Sequence, residues 1–413
     1  SGRLKTAAEQ SMNKVNSDPQ AVEEVLSRGT EEIVVAEHLR NRMLSGEVLR
    51  VKLGIDPTSP HLHLGHTVPL RKLRQFQDLG HQAILIIGDA TAEIGDPTGR
   101  TEARQRLSRE KIEENKATYL DQAAKILDMD KLEVRHNGEW FFPMKAAEIL
   151  SLTSLVSLQQ VLQREDFRKR VDDPEHPLST LEILYPMMQG YDSVMVKSDI
   201  ELGGIDQKLN VLFGRRMQRR FAMPEQDVVL VPLLIGTDGK KKMSKSFDNA
   251  IFLEGKPDEK FGKVMSIPDD LIENYFTLLT SLSFEEISTL KKDQENPRDQ
   301  KARLAFEVVK IFHSESEAVL ARENFNRMFH DREVPKIIPE HRLSVPTMTV
   351  ADLLVETKLA SSKGDARRLV EGGGVKVDGA DVTSFEQKIV PGTDGVILQK
   401  GKRFFIRVFP PAT

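Results

Sequence analysis

The sequence of 413 residues contains no cysteine, one tryptophan and four tyrosines. Without cysteine it has no disulfide, no thiol nucleophile and no cysteine-ligated zinc, which fits a reducing, cytoplasmic location. Its longest uncharged, apolar-looking stretch, residues 149–163, is interrupted by Ser, Thr and Gln and is too short to span a bilayer, so we expect no membrane partner. The opening letters SGRLKT include no apolar stretch, so we expect no secretory signal, and Ser1 and Gly2 are expected to be a cloning remnant.

Neither sign of charge dominates the chain. The 59 Lys and Arg residues and 63 Asp and Glu residues leave a net charge of −4. No global positive field therefore attracts nucleic acid, so we expect no DNA partner, and any contact with RNA has to come from a local patch. Hydrophobic residues at 39% and charged residues at 30% are typical of globular proteins, and the length predicts about two to four domains.

The first part of the chain alternates strand and helix patterns. Strands are predicted from apolar patterns at residues 49–55, 83–88 and 228–235. Helical spacing predicts one helix from Gly65 to a stop at Gly80 and a long second helix from Ser108 through Leu127. This order predicts a parallel sheet covered by helices.

The rest of the chain changes character twice. Residues 257–342 show helix patterns with few strand signals, and a short link follows around Ser344–Pro346. Residues 347–413 are rich in glycine and mildly basic, with ten Lys and Arg against eight Asp and Glu. We therefore expect three domains: an α/β domain over residues 1–240, an α-helical domain over 241–343 and a small α+β domain over 344–413.

A histidine cluster, HLHLGH at residues 61–66, follows the first strand and opens a helix. His63 and His66 would lie on one side of the first turn, where unpaired backbone donors and the helix dipole favour a phosphate group. Gly65 would let a flat ring approach the backbone. A polar turn with accidental histidines and a metal site are the alternatives, although no acidic ligand stands nearby.

A lysine-rich loop, GTDGKKKMSKS at residues 236–246, follows the last predicted strand. Most lysine runs are solvated surface loops. Because this one follows the carboxyl end of a parallel strand, where ligands bind, it could neutralise a polyphosphate.

A third cluster lies on a predicted helix that begins with the capping box Ser179–Glu182. Tyr185, Gln189 and Asp192 would share one helix face and offer a phenol, an amide and a carboxylate to a small polar ligand. An exposed helix face is the alternative. The turn-rich segments LGGIDQ at 202–207 and GDPTGR at 95–100 are weak signals alone.

Together these segments resemble the class I aminoacyl-tRNA synthetases, which carry both HLGH and KMSKS. YPMMQGYD and LGGIDQ are similar to the tyrosyl-tRNA synthetases, and VKVDG with LQKGKRFFIRV is similar to an S-four-type RNA-binding module. The resemblance implies a Rossmann-like catalytic domain with a dimer-type insertion, then the KMSKS loop with an α-helical anticodon-binding domain, then an S-four-like domain. It implies activation of L-tyrosine with ATP to tyrosyl-adenylate and pyrophosphate, transfer to the 3′ end of tRNA(Tyr), and a homodimer.

The resemblance also implies roles for individual residues. The reacting phosphates would be met by His63, His66, Lys242, Lys245, Arg100 and Arg104. ATP would be bound by Asp56, Thr58, Gly65, Gly204, Asp206, Met243 and Ser244. Tyrosine would be bound by Asp96, Tyr185, Gln189, Asp192 and Gln207. RNA would be bound by Arg367, Arg368, Lys400, Lys402 and Arg403. Mg²⁺ would accompany ATP, with no tightly bound metal or organic cofactor.

One position departs from the family pattern. Many relatives carry a tyrosine where this chain has Lys52, and that tyrosine shares the substrate's phenolic hydroxyl. Either Lys52 points away and Asp192 acts alone, or another group substitutes. The apolar segment Trp140–Met144 suits a dimer interface or a buried core equally well.

Three other functions remain possible from the sequence. A tryptophan enzyme would share the fold and both ATP motifs, but Asp192 and the tail argue against it. A nucleotidyltransferase would need only the histidine motif, and a tRNA-binding protein without aminoacylation would need neither.

Overall fold

The computed structural model describes residues 15–98, 107–293, 296–329, 338–401 and 404–411. The chain forms two compact units, one up to residue 318 and one from residue 319. The division at residues 240 and 343 stays a prediction. Within the described ranges, no helix is both long and apolar enough to cross a bilayer.

The first unit is built on a six-stranded sheet in the order β1-β6-β5-β2-β3-β4. Every neighbouring pair is parallel except β1 and β6. The strands are β1 Glu32–Val34, β2 Arg50–Ile55, β3 Gln82–Ile87, β4 Leu132–His136, β5 Ile200–Gly204 and β6 Asp227–Val231. The predicted α/β fold with a parallel sheet is confirmed.

The first unit also contains many helices. In chain order they are α1 Pro19–Ser27, α2 Ala36–Leu44, α3 Leu64–Asp78, α4 Asp89–Ala92, α5 Arg109–Lys116, α6 Tyr119–Ala123, α7 Gly138–Phe141, α8 Ala146–Thr153, α9 Leu158–Val161, α10 Glu165–Val171, α11 Thr180–Met195, α12 Lys208–Arg220, α13 Pro257–Met265, α14 Ile272–Leu279, α15 Phe284–Asp293 and α16 Pro297–Phe312. A further helix, α17 Glu315–Phe329, contains the division between the units.

Two predicted elements are shorter than expected. The long helix expected from Ser108 is interrupted after α5, where residues 117–118 form a turn before α6 begins. The Thr118 hydroxyl in this turn donates to the Pro60 carbonyl at 2.6 Å. The last strand of the sheet ends at Val231, since Pro232 has no N–H for the ladder.

The order of the strands in the sheet indicates where a ligand binds. From β2 the chain proceeds through β3 to β4 on one side, whereas β5 and β6 lie on the other side. The connections therefore diverge between β2 and β5, and ligands of such sheets bind where the carboxyl ends of these strands meet. The segments after β2, β3, β5 and β6 all begin at this edge.

The second unit has α+β architecture. Its strands and helices are β7 Glu340–Arg342, β8 Met348–Thr349, α18 Val350–Glu356, α19 Lys363–Glu371, β9 Val375–Val377, β10 Ala380–Asp381, β11 Lys388–Ile389, β12 Val396–Lys400 and β13 Phe404–Phe409. Five strands form a sheet in the order β10-β9-β12-β13-β7, and β8 pairs with β11. Leu353, Leu354 and Leu398 are fully buried in the core of this unit. The predicted small α+β fold is confirmed.

Helices α11 and α12 approach each other closely at Gly190. A Cβ atom there would lie 2.9 Å from the Phe213 main chain, which cannot retreat as a side chain could. We expect Gly190→Ala to lower the free energy of unfolding by about 1–3 kcal/mol because of this overlap. The measurement is the midpoint of denaturant unfolding.

Gly262→Ala in α13 is the matched control, because a Cβ there meets no atom within 4 Å. Alanine is the better helix former, so this change should leave stability unaltered or raise it by up to about 1 kcal/mol. Equal losses in both variants would contradict the close approach of α11 and α12.

Candidate active site

A cleft of about 870 Å³ opens at the carboxyl edge of the sheet. Most of the residues expected at the site from the sequence line it, namely Asp56, Thr58, His63, Gly65, His66, Asp96, Tyr185, Gln189, Asp192, Gly204, Asp206, Gln207, Lys242, Met243 and Ser244. The histidine cluster and the lysine loop thus face one cleft. Lys245 is exposed and does not line it, and Arg100 and Arg104 lie outside the described residues.

The two histidines at the start of α3 hold each other in one orientation. His63 is the N-cap, and its Nδ1 accepts from the Gly65 N–H at 3.2 Å. His66 Nδ1 accepts from the His63 N–H at 3.2 Å, and the two ring centroids are 3.9 Å apart. Because each Nδ1 accepts, each Nε2 carries the proton and can donate to a ligand.

The expectation of unpaired backbone donors at this helix start is wrong. The Leu64 N–H donates to the Ile251 carbonyl at 2.9 Å, and the His66 N–H donates to the His63 carbonyl at 2.9 Å. The Gly65 N–H is taken by the His63 ring. The imidazole Nε2–H groups are therefore the donors that this turn offers to an anion.

Both imidazoles are neutral near pH 7. Burial lowers the pKa of His63 to about 2, with help from nearby His66 and Lys242, and burial lowers the pKa of His66 to about 4. Gly65 makes the tight packing possible, because a Cβ there would lie 3.0 Å from the His63 ring. Any positive charge for a phosphate must come from elsewhere in the cleft.

The lysine loop supplies that charge. Its Met243 N–H donates to the Leu234 carbonyl at 2.7 Å, and Asn249 Oδ1 accepts from the Ser244 N–H at 2.8 Å, so the loop is anchored on both sides. Lys242 Nζ donates to Asp206 Oδ2 at 2.7 Å. The loop thus places one ammonium group in the cleft, already paired with an acid.

Acidic and amide groups gather at another wall of the cleft. Gln207 Nε2 donates to Asp96 Oδ2 at 2.7 Å, and the Thr98 hydroxyl donates to Asp96 Oδ1 at 2.6 Å. Tyr185 donates its hydroxyl to Asp56 Oδ2 at 2.8 Å. Burial, with the charges of Asp56 and Asp96, raises the pKa of Tyr185, which stays a neutral phenol. Such a cluster of acceptors suits an ammonium group.

Asp192 is the most buried acid of the cleft wall, at 4% exposure. Trp140 Nε1 donates to its Oδ1 at 3.0 Å and Asn137 Nδ2 to its Oδ2 at 3.4 Å. Burial raises the pKa of Asp192 to about 7, and Lys52, Trp140 and Asn137 oppose that rise. When ionised, the carboxylate is a hydrogen-bond acceptor, and it gains or loses its proton near neutral pH.

Sequence reasoning missed Trp140 and Asn137 as parts of this site. Trp140 stood in an apolar segment offered as interface or core, and the structure divides that segment: Trp140 is buried, whereas Phe142 is 44% exposed. No local spacing pointed to Asp192, which is far away in the chain. The signal that the sequence offers is a polar Asn137 three residues before the sole tryptophan, Trp140.

Lys52 points away from the cleft, and its ammonium donates to Glu201 Oε1 at 2.9 Å. This agrees with the first of the two alternatives left open at this position, in which Lys52 points away. Lys52 does not line the cleft, and the Trp140 indole supplies an N–H to Asp192.

The histidine cluster does not assemble a metal site. Among the residues that the structure describes, no group of three or more His, Asp and Glu side chains is placed to hold a metal ion. His61, the third histidine of the motif, instead contacts Glu254 at 2.6 Å.

The basic residues expected to bind RNA lie in the second unit. Ser362 caps α19 by accepting from the Asp365 N–H at 3.2 Å. Arg367 pairs with Glu371 at 2.7 Å and Arg368 lies 3.8 Å from Asp365, so both arginines face acids on their own helix. Lys400 donates to the Leu359 carbonyl. Lys402 and Arg403 lie outside the described residues.

Comparison with known proteins matches the chain to two family models. Residues 44–330 match the model described as tRNA synthetases class I (W and Y). Residues 332–408 match a model of the tyrosine–tRNA ligase SYY-like C-terminal domain. The chain is 45% identical to the tyrosine–tRNA ligase of Thermotoga maritima over 394 residues, which cover 94% of this chain and 98% of that protein. It is also 45% identical to that of Ralstonia nicotianae, over 93% of this chain and 99% of that protein.

Solved structures share the fold. A C-terminally truncated mitochondrial tyrosyl-tRNA synthetase from Aspergillus nidulans superposes with a TM-score of 0.65 at 24% identity, covering 75% of this chain and 94% of that one. The tyrosyl-tRNA synthetase of Archaeoglobus fulgidus, complexed with L-tyrosine, superposes with a TM-score of 0.60 at 23% identity, covering 74% of this chain and all of that one.

The neutral state of the two histidines is directly measurable. We expect the ring nitrogens of His63 and His66 to show no titration between pH 5 and pH 8 in the folded protein, because burial disfavours their charged forms. Nitrogen-15 NMR of histidine-labelled protein is the measurement. In urea both should titrate at the ordinary value of about 6.5. A midpoint between pH 6 and 7 in the folded state would contradict the assignment.

Proposed function

The chain belongs to the class I tyrosyl-tRNA synthetases, and we propose how its cleft performs their reaction, the activation of L-tyrosine with ATP and the transfer of the tyrosyl group to the 3′ end of tRNA(Tyr). The observation that carries the proposal is that the histidine pair, the lysine loop and Asp192 line one cleft. The first two suit a triphosphate, and the third suits a phenol.

Tyrosine lies along α11 in this proposal. Asp192 accepts the phenolic O–H, and the acceptors around Asp96 and Tyr185 receive the α-ammonium group, with Gln189 and Gln207 beside them. Tyr185 and Asp192 are seven residues apart, which is about 10 Å along a helix axis. That length accommodates an aromatic side chain with a polar group at either end.

The first step is an in-line displacement. A carboxylate oxygen of tyrosine attacks the α-phosphorus, the bond to the bridging oxygen breaks, and pyrophosphate leaves with the electron pair. Since the nucleophile is already ionised, no general base is needed, and acceleration comes from alignment and from charge stabilisation. His63 and His66 donate through Nε2 to phosphate oxygens, and Lys242 and Lys245 neutralise the pyrophosphate.

Arg100 and Arg104 are proposed to assist the same leaving group, as implied by family resemblance. In the second step a hydroxyl at the 3′ end of the tRNA attacks the tyrosyl carbonyl, and AMP leaves.

The nucleotide is proposed to lie against the glycines of the cleft. A Cβ on Gly54 would meet no atom within 4 Å, so the floor there is open, and Gly65 and Gly204 also lack side chains where they line the cleft. Asp206 would exchange its contact with Lys242 for the ribose hydroxyls, which frees the lysine for the phosphates. Asp56, Thr58, Met243 and Ser244 form the neighbouring walls. Mg²⁺ would enter with ATP and would be bound mainly by phosphate oxygens, with few ligands from the protein.

Partners and location remain proposals. Arg367, Arg368 and Lys400, together with Lys402 and Arg403, would bind RNA phosphates. Phe142 and Leu150, 44% and 68% exposed in the segment between β4 and β5, supply apolar surface that suits a homodimer. A cytoplasmic location fits the absence of cysteine from the sequence.

Amino-acid specificity tests the role of Asp192. We expect Asp192→Ala to lower kcat/KM for tyrosine in ATP–pyrophosphate exchange by about 100-fold or more, since a charge-assisted hydrogen bond is lost, while the KM for ATP is unchanged. In the unaltered enzyme kcat/KM for tyrosine should fall as the pH is lowered through about 7, where the Asp192 carboxyl takes up a proton and loses the negative charge that strengthens the hydrogen bond it accepts.

Tryptophan and phenylalanine serve as competing substrates in the same assay. Exchange with tryptophan instead of tyrosine would favour the tryptophan-type alternative, and exchange with no amino acid would favour a tRNA-binding protein without aminoacylation. Equal losses of tyrosine and ATP affinity in Asp192→Ala would remove Asp192 from the specificity role.

Salt dependence tests the basic residues of the second unit. We expect the double variant Arg367→Gln/Arg368→Gln to bind tRNA(Tyr) more weakly and to reduce the slope of log K against log salt by about 1–2, because up to two phosphate contacts disappear. Lys376→Gln is the control, since Lys376 is a cation of the same unit, also paired with an acid, Asp381 at 2.9 Å, but is not among the residues expected to bind RNA. Identical salt slopes in all three proteins would place the RNA contact elsewhere.

A further inference from the structure

A buried ion pair lies directly beneath the tyrosine end of the cleft. Lys52 on β2 and Glu201 on β5 are 2.9 Å apart, and their side chains are 0% and 1% exposed. Lys52 Nζ also donates to the Ser193 hydroxyl at 2.9 Å and to the Gln189 carbonyl at 3.0 Å. Its three N–H donors therefore have three acceptors, and it makes these bonds without lining the cleft.

Glu201 is equally engaged. Its Oε1 accepts from Lys52 and, at 3.2 Å, from Gln189 Nε2, and its Oε2 accepts from the Ser193 hydroxyl at 3.0 Å and from Gln226 Nε2. A buried pair with every partner satisfied is a rigid arrangement, because moving any member leaves a polar group unpaired.

The packing around this pair leaves room for it. Gly214 on α12 faces the network, and a Cβ there would lie 2.7 Å from Glu201 Oε2 and 2.8 Å from Ser193 Oγ. The absent side chain at this position lets α12 cover the ion pair without displacing it.

The pair clamps α11 on both sides of Asp192. Gln189 precedes Asp192 by three residues and Ser193 follows it directly, and both bind Lys52. The main chain that carries Asp192 is thus tied to β2 and β5, while Trp140 and Asn137 hold the carboxylate itself from the other side.

The ammonium group of Lys52 also acts electrostatically on two buried carboxylates, those of Glu201 and Asp192. Burial raises the pKa of Asp192, the charge of Lys52 is the largest influence that lowers it, and the charge of Glu201 raises it further. Removing Lys52 alone would leave two buried acids without their shared counter-charge, which disfavours the ionised form of Asp192.

We propose that Lys52 is a positioning residue for tyrosine recognition, which fixes the helix on both sides of Asp192 and supplies the positive charge that this buried carboxylate needs. The proposal rests on the proposed function of Asp192 as the acceptor for the phenol. Lys52 itself touches no substrate; it acts through the geometry and charge of the group that does.

The test is the pH profile and amino-acid discrimination of Lys52→Met. As the pH is lowered, kcat/KM for tyrosine in ATP–pyrophosphate exchange should begin to fall at a pH about 1 unit higher than in the unaltered enzyme. The reason is that the Asp192 carboxyl stays protonated up to a higher pH once the charge of Lys52 is gone. The preference for tyrosine over phenylalanine should fall about 10-fold. Phenylalanine leaves the Asp192 carboxyl without a hydrogen-bond donor, and this costs less free energy when the carboxyl is protonated than when it is charged. The KM for ATP should not change.

Lys72→Met is the matched control. Lys72 is also buried, at 2% exposure, but its ammonium donates to the Val25 and Arg28 carbonyls at 2.6 Å each. This variant should lose stability as Lys52→Met does while keeping the pH profile and the discrimination. The other charged or titratable groups around Asp192 stay in place in both variants, namely Glu201, Tyr185, Asp56, Asp89 and His136.

Two further variants keep the test decisive if Lys52→Met does not fold. Lys52→Met/Glu201→Gln removes both buried charges together and should shift the profile in the same direction by a smaller amount, since Lys52 acts on Asp192 more strongly than Glu201 does. Ser193→Ala removes one clamp only and should raise the KM for tyrosine more than it lowers kcat.

The outcomes separate the two proposals. If the unaltered enzyme exchanges with tyrosine and every Lys52 variant that folds keeps its pH profile and discrimination, as Lys72→Met does, the positioning role is wrong and the proposed function stands. If the unaltered enzyme shows no exchange with tyrosine, the proposed function fails, and the role of Lys52 fails with it.

Discussion

The cost of burying one carboxylate governs the design of this cleft. Asp192 is 4% exposed, and a charge so far from water needs donors and a counter-charge to persist. They arrive from separate parts of the chain: Asn137 and Trp140 from the segment that follows β4, and Lys52 from β2. The sheet order sets β2 and β5 side by side beneath α11, so the fold itself brings these groups together.

The cost of burying charge also divides the cleft into a neutral region at the histidines and a positively charged region at the lysine loop. At the start of α3 burial keeps His63 and His66 neutral, so this part offers directed N–H donors and no fixed charge. The positive charge sits on Lys242, which is held by Asp206 until another anion competes for it. In the proposed reaction a triphosphate would meet this preformed hydrogen-bond geometry at the histidines and the positive charge at Lys242.

The sequence predicted what local patterns encode. The parallel strands, the capping box at Ser179 and the common face of Tyr185, Gln189 and Asp192 all follow from periodicity and capping rules, and the structure contains them. It could not predict partners that are distant in the chain. The Leu64 N–H is satisfied by Ile251, about 190 residues away, and the Thr118 hydroxyl, in the turn between α5 and α6, donates to the Pro60 carbonyl. The roles of Trp140 and Glu201 are of this kind, because each is defined only by the fold around it.

Lys52 and Lys72 show how a buried lysine can serve two different ends. Lys72 donates to main-chain carbonyls at the end of α1 and does not line the cleft. Lys52 is paired with Glu201, and a buried ion pair brings little net stability, because desolvating both charges offsets their attraction. Apolar residues of similar volume could replace such a pair at little cost to the fold. What they could not replace is a positive charge held beside Asp192 and a clamp on the helix that carries it, so the pair is better explained by recognition than by stability.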